Sequence, residues 1–273
     1  MKNSCFSLGY RKGLLACVAP VLSFLFLLAM FAGSPAAQAQ SPNELHIAAA
    51  SDLQPVLPTL AAQYEQATGV KIIPSFGSSA TLAQQITNGD PQDLFLSADY
   101  VHPEQLVAAE LTTAHAPTPY ARGVLVLWAR KDSPAQPLTL NVLSSPKVQK
   151  IAVANSQHAP YGFAAEKALA SLRLTNTVSA KLVVAENIAQ TAQFAESGNA
   201  QVGIISLTLA SSPHFRELGT FVRFPPHSYP PIRQCAVILK SSKNQQEAQK
   251  FLDWLTSSKI QESLTKFGLD PAN

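Results

Sequence analysis

Cysteine is scarce in this chain of 273 residues: Cys5 and Cys17 sit in the opening stretch, and Cys235 is the only one beyond it. A lone thiol excludes an internal disulfide framework. Its setting, RQCAVIL, is an apolar run that fits a buried inert thiol better than a nucleophile or ligand. Charge is thin as well, with only 14% Asp, Glu, Lys and Arg and no basic run after residue 40. Nucleic acid and anionic membrane surfaces are therefore not expected partners. Catalytic signatures are missing too. The nearest approach to a Gly-x-Ser-x-Gly elbow, Gly77-Ser78-Ser79-Ala80-Thr81, lacks its second glycine. There is no Walker loop and no Gly-x-Gly-x-x-Gly. His46, His102, His115, His158, His214 and His227 show no metal-ligand spacing. No heptad run or short-period repeat exists, which excludes a coiled coil or solenoid.

What is present begins with an export signal. A basic head (Lys2, Arg11, Lys12) precedes an apolar run from Leu14 to Ala32 and a small-x-small ending at Ala37-Gln38-Ala39. Residues 1–39 are read as a cleaved signal peptide, giving an exported protein. The alternative, a retained anchor, is interrupted by Pro20. Cys17 lies ahead of the apolar core rather than at its end, so no lipid anchor is expected. Cleavage removes three of the 20 basic residues and none of the 17 acidic ones, leaving a formally neutral mature chain.

From residue 40 onward, strand and helix patterns alternate. ELHIAAA reads as a strand, PVLPTLAAQYEQATG as a helix closed by Gly69, VKIIPSFG as a strand, ATLAQQITNG as a helix closed by Gly89 and DLFLSA as a strand. A second such set runs from GVLVLWAR through KIAVANS, FAAEKALASL, KLVVA and IAQTAQFAESG to AQVGIIS. QCAVILK adds a buried strand, followed by two amphipathic helices. The fold expected is α/β with largely parallel sheets. It divides into lobe 1 (40–121 plus 234–273) and lobe 2 (122–233), with hinge crossings near 120–124 and 228–236.

Small hydroxyl residues and glycines follow the predicted strands, where open α/β sheets place their ligands. Ser51 follows the first strand, and Ser78, Ser79 and Thr81 follow the second. Pro160 to Gly162 open a later helix, and Ile188 lies in the first turn of another. Helix N-termini carry unpaired N–H groups and partial positive charge, so they favour an anion without a cationic side chain. Lys and Arg are absent from all these segments. A donor-only site suits an oxyanion that keeps no proton, whereas a partly protonated phosphate also wants an acceptor. Taken singly, Ser51 and Ser79 also fit ordinary N-caps, and Ser51-x-x-Gln54 fits a capping box, with Pro55 and Pro58 disturbing the first turn.

The segments AAASDL, FGSSATLAQQITNGDPQDLFLSAD, ARGVLVLW, HAPYGFAAEKAL, VVAENIAQTAQFAESGNAQVGIISL and CAVILK, in this order, resemble the periplasmic molybdate-binding proteins, substrate receptors of ABC importers. The resemblance implies a two-lobed periplasmic binding protein with its ligand cleft between the lobes. It implies molybdate, and tungstate of similar size, as ligand, the importer's membrane permease as partner, a monomer, no catalysis and no cofactor. By position it assigns Ser51 and Ser79 as hydroxyl and backbone donors, and Tyr161 and Ile188 as backbone donors. Asp52 contributes only its backbone N–H, because an ionised side chain would repel a dianion. These are contacts to the oxyanion, not direct metal ligands. Ser206 stands where some relatives place a tyrosine hydroxyl, and Asp52 where others have Asn. A receptor for sulfate, thiosulfate or another anion shares this architecture, and an exported hydrolase is the remaining alternative.

Overall fold

The computed structural model describes residues 44–272. The signal peptide expected at 1–39 lies outside them. Ten strands and ten α-helices are described. The first sheet holds β1 (Glu44–Ala50), β2 (Lys71–Gly77), β3 (Leu94–Ser97), β4 (Thr118–Gly123) and β10 (Ile232–Ile238), in the order β2-β1-β3-β10-β4. The second holds β5 (Leu125–Arg130), β6 (Ile151–Ala154), β7 (Leu182–Ala185), β8 (Val202–Ser206) and β9 (Gly219–Arg223), in the order β7-β6-β8-β5-β9. Each sheet has one reversed strand, β10 in the first and β5 in the second. Both reversed strands sit where the chain enters from the other sheet. Val124 alone separates β4 from β5, and residues 224–231 lead from β9 back to β10.

The helices are α1 (Leu57–Thr68), α2 (Ser79–Thr87), α3 (Val101–Ala108), α4 (Pro160–Ser171), α5 (Thr175–Val178), α6 (Ile188–Glu196), α7 (Leu207–Ser211), α8 (Pro213–Leu218), α9 (Gln245–Leu255) and α10 (Ser258–Leu264). α1 ends as its sequence predicts, with Gly69 at φ 74°, a left-handed cap that glycine adopts without Cβ strain. Its start is later than the pattern suggests. Pro58 falls in the first turn, where its missing N–H removes no helical bond.

The first sheet is covered on both faces, so β1 is apolar nearly throughout. Leu45, Ile47 and Ala49 pack with α1, α9 and α10, while Ala48 meets α2 and α3 across the sheet. The two-residue period of a strand makes this division. Tyr64 of α1 holds Phe251 of α9 edge to face at 5.0 Å, and Trp254 lies at 5.2 Å. The C-terminal helices are thereby part of the first sheet's core. In the second sheet Trp128 is fully buried, and its indole Nε1–H donates to the Phe215 carbonyl at 3.2 Å. A Cβ on Gly219 would overlap that indole ring, which accounts for the glycine.

Elements without a clear sequence signal include β4, β9 and α3, besides the short helices α5, α7 and α8. β4 and β9 are edge strands with mixed exposure, so neither shows an apolar run. α3 buries only Pro103 and Leu106, too few to set a period. Phe251→Ala would remove a fully buried ring and should cost roughly 3–5 kcal/mol. The midpoint shift in urea unfolding reads that loss.

Candidate functional site

β1 and β2 are parallel neighbours, as are β6 and β7, and each of the four runs into a helical start at its carboxyl end. β1 enters the 3-10 turn Ser51–Leu53, β2 enters α2, β6 leads to α4 and β7 leads to α6. The two pairs face each other. The 3-10 turn packs against α6 and α7. The Ala80 N–H donates to the His158 carbonyl at 3.1 Å, and the Thr81 hydroxyl donates to Glu186 at 3.3 Å. The Tyr161 hydroxyl donates to Asp52 at 3.1 Å. These bonds, with one from the Gln234 amide to the Tyr161 hydroxyl at 3.2 Å, join elements of the first sheet to elements of the second, and the lobes are closed on one another.

Capping decides which N–H groups remain for a ligand. In α2 the Ser78 side chain accepts from Thr81 N–H at 3.2 Å, and Ala80 N–H crosses to His158. Ser79, at the first helical position, keeps its N–H outside both bonds. In α6 the Asn187 side chain accepts from Gln190 N–H at 3.0 Å, which leaves the first-turn N–H of Ile188. In α4 the first position is Pro160, which has no N–H, so Tyr161 presents the first available one. First-turn N–H groups have no intrahelical acceptor, and these three lie at starts that face each other. The Ser79 hydroxyl accepts from Ala98 N–H at 3.1 Å, which orients its own O–H away from that contact. Ser51, Asp52, Ser79, Tyr161 and Ile188 are each at most 3% exposed. The broader groove nearby, about 450 Å³ and lined by Tyr100, His102, Phe163 and Arg233, carries neither Ser51 nor Ser79 nor Ile188.

Local geometry departs from two capping expectations. Ser78, not Ser79, caps α2. Ser51 makes no side-chain cap, and Gln54 only donates its backbone N–H to the Ser51 carbonyl at 3.3 Å, so the capping box is not formed. Pro55 and the delayed start of α1 replace a regular first turn by a 3-10 one. Ser206 caps α7 through Leu209 N–H and meets the Thr208 hydroxyl at 2.7 Å. Cys235 is buried, and burial pushes its thiol up to about 11, which keeps it protonated and unreactive.

Asp52 is the site's unusual group. Its Oδ2 accepts from Gln234 at 2.6 Å and from Tyr161 at 3.1 Å, while Oδ1 is buried without a partner. Burial raises its pKa to about 7, against the lowering effect of the Gln234 and Tyr161 bonds. Tyr161 and Tyr120 are pushed well above the ordinary phenol value by burial and then by the Asp52 charge, so both stay neutral donors. Gln234 was not legible as a site residue. Its signal is one amide inside the apolar strand RQCAVIL, fully buried here and turned toward Asp52.

Facing helix starts between two α/β lobes define a solute-binding protein. Residues 45–270 match the family described as bacterial extracellular solute-binding protein. The molybdate-binding protein ModA of Azotobacter vinelandii is 36% identical over 89% of this chain and 95% of its own length. ModA of Rhodobacter capsulatus is 31% identical over 83% and 88%. The solved structure of the Azotobacter vinelandii periplasmic molybdate-binding protein matches with a TM-score of 0.75 at 31% identity, covering 82% of this chain and 98% of that one. The sulfate-binding protein SubI of Mycobacterium tuberculosis, at 15% identity and a TM-score of 0.71, shares the fold. The chain belongs to the bacterial extracellular solute-binding proteins and, within them, to the family of periplasmic molybdate-binding proteins. These relatives are substrate-binding proteins and not enzymes.

Gly123 lies at the passage between sheets, where a Cβ would overlap the Tyr161 phenol. Gly123→Ala should therefore cost about 1–3 kcal/mol through overpacking. The check is its unfolding midpoint in urea beside that of the parent chain.

Proposed function

We propose that this protein captures molybdate, and tungstate of nearly the same size, in the periplasm and delivers it to the permease of an ABC importer. One observation supports the reading: the helices starting at Ser79, Pro160 and Ile188 come from both lobes, their caps leave the first-turn N–H groups of Ser79, Tyr161 and Ile188 over, and these residues and Ser51 are buried. The helix starts supply donors and partial positive charge without any formal cation. A fully deprotonated tetrahedral dianion offers only acceptors and matches that set. The two ModA relatives, which are molybdate-binding proteins, agree with it.

Capture proceeds by closure. The anion meets the donors of one lobe, and rotation at the two chain passages brings up the donors of the other. The closed form, with contacts such as Ala80 to His158, is the shape offered to the permease as a monomer. Size supplies selectivity, since sulfate is too small to reach all donors at once and tungstate is not.

Thermal unfolding with molybdate, tungstate, sulfate and phosphate at equal excess tests this. At about 100 times the dissociation constant, a true ligand adds roughly 2.7 kcal/mol of stability. Molybdate and tungstate should raise the midpoint; stabilisation by sulfate alone, or by none of the four, rejects the reading. Ser79→Ala should weaken molybdate binding by roughly 1.5–3 kcal/mol, the worth of a hydrogen bond to a charged group. Calorimetric titration of that variant measures it, and unchanged affinity removes Ser79 from the donor set.

A further inference from the structure

Asp52 poses a problem for a receptor of dianions. It follows Ser51 directly in the 3-10 turn, is fully buried, and sits where the lobes meet. Its two oxygens are treated differently. Oδ2 takes both donors, the Gln234 amide at 2.6 Å and the Tyr161 hydroxyl at 3.1 Å, while Oδ1 has none. A buried carboxylate oxygen without a donor is costly, and the cost grows when a dianion is enclosed nearby.

Among the described residues no cation relieves it. Among the titratable groups around it, Tyr161 of α4 and Tyr120 of β4 are buried phenols held neutral. α7 carries no titratable residue. The acid of α6, Glu196, pairs with His214, and Lys71 at the far end of β2 pairs with Glu44. On β10 the neighbour toward Asp52 is the neutral Gln234; Cys235 is a protonated thiol and Arg233 is exposed. Neutralisation must come from solvent as a proton. With both donors already on Oδ2, the oxygen left to carry it is Oδ1.

We propose that Asp52 is a proton-binding site of the closed cleft, and that capture of a tetrahedral dianion is coupled to uptake of one proton at its Oδ1. This rests on the receptor reading above and deepens it. In the open cleft the carboxyl loses its Tyr161 cover, meets water and is ionised at neutral pH. On closure it becomes a neutral acid, the bound charge is reduced by one, and the Oδ1–H becomes a donor where the carboxylate offered only an acceptor.

The sign of the pH dependence follows. The closed-state value of about 7 lies above the ordinary 3.8, so the closed form holds a proton that the open form lacks between those limits. Affinity should therefore fall as pH rises through that window, approaching tenfold per pH unit. The enclosed dianion extends the window upward, because a nearby negative charge favours the protonated acid.

The test is calorimetric titration of the mature protein with molybdate from about pH 6 to about pH 8, in phosphate-free buffers of different ionisation enthalpy. Buffer-dependent heats should report uptake approaching one proton per anion, with affinity declining as pH rises. Asp52→Asn, which keeps the shape and an oxygen acceptor, should take up no proton and give a flat pH profile whatever its absolute affinity. Tight binding by the parent chain without proton uptake overturns the coupling and leaves the receptor reading intact. Uptake that persists in Asp52→Asn overturns the assignment to Asp52. No binding heat with molybdate or tungstate at any pH overturns the receptor reading and the coupling with it.

Discussion

Unsatisfied backbone N–H groups at helix starts are the constraint around which this cleft is organised. A buried N–H needs an acceptor, and here the caps leave particular ones over: Ser78 serves Thr81, Asn187 serves Gln190, and Pro160 has nothing to offer. The donors of Ser79, Tyr161 and Ile188 are what remains. They come to face each other because β1 with β2 and β6 with β7 are parallel pairs whose carboxyl ends meet across the lobes. Parallel strands place successive helix starts at one edge, so two such edges brought together gather the leftover donors without any cationic side chain.

A second feature is the double passage of the chain between sheets. The direct step from β4 to β5 through Val124, and the return before β10, force one strand in each sheet to run against the others. The return strand carries Gln234 to Asp52, and Gly123 at the end of β4 leaves room for the Tyr161 ring. The two chain passages thus bring Gln234 and the Gly123 gap up to the junction of the lobes. Asp52, Tyr161 and Gln234, drawn from three distant parts of the chain, form one buried polar group at the point where the lobes touch.

Packing away from the cleft explains why the lobes keep their shape. α9, from the end of the chain, lays Phe251 and Trp254 on Tyr64 of α1, so the first lobe is closed by segments far apart in sequence. In the second, Trp128 and Phe215 meet at 5.1 Å around the space that Gly219 leaves. These cores, buried on both sheet faces, are close-packed and hold the shape of each lobe.

Sequence by itself determined the alternation of strand and helix, the glycine stops at Gly69 and Gly89, and the absence of cations near the helix starts, because these are local properties of periodicity and residue type. It also put Ser51, Ser79, Tyr161 and Ile188 just after strands, where an α/β fold holds ligands. The edge strands β4 and β9 escaped it, since half-exposed strands show no apolar run. Capping escaped it as well: Ser78 and Ser79 are equally good caps on paper, and only the path of β2 into α2 selects the first. The state of Asp52 was decided by tertiary structure alone. A carboxyl's affinity for a proton depends on the water it loses and the donors it meets, and both Gln234 and Tyr161 arrive from more than 100 positions away.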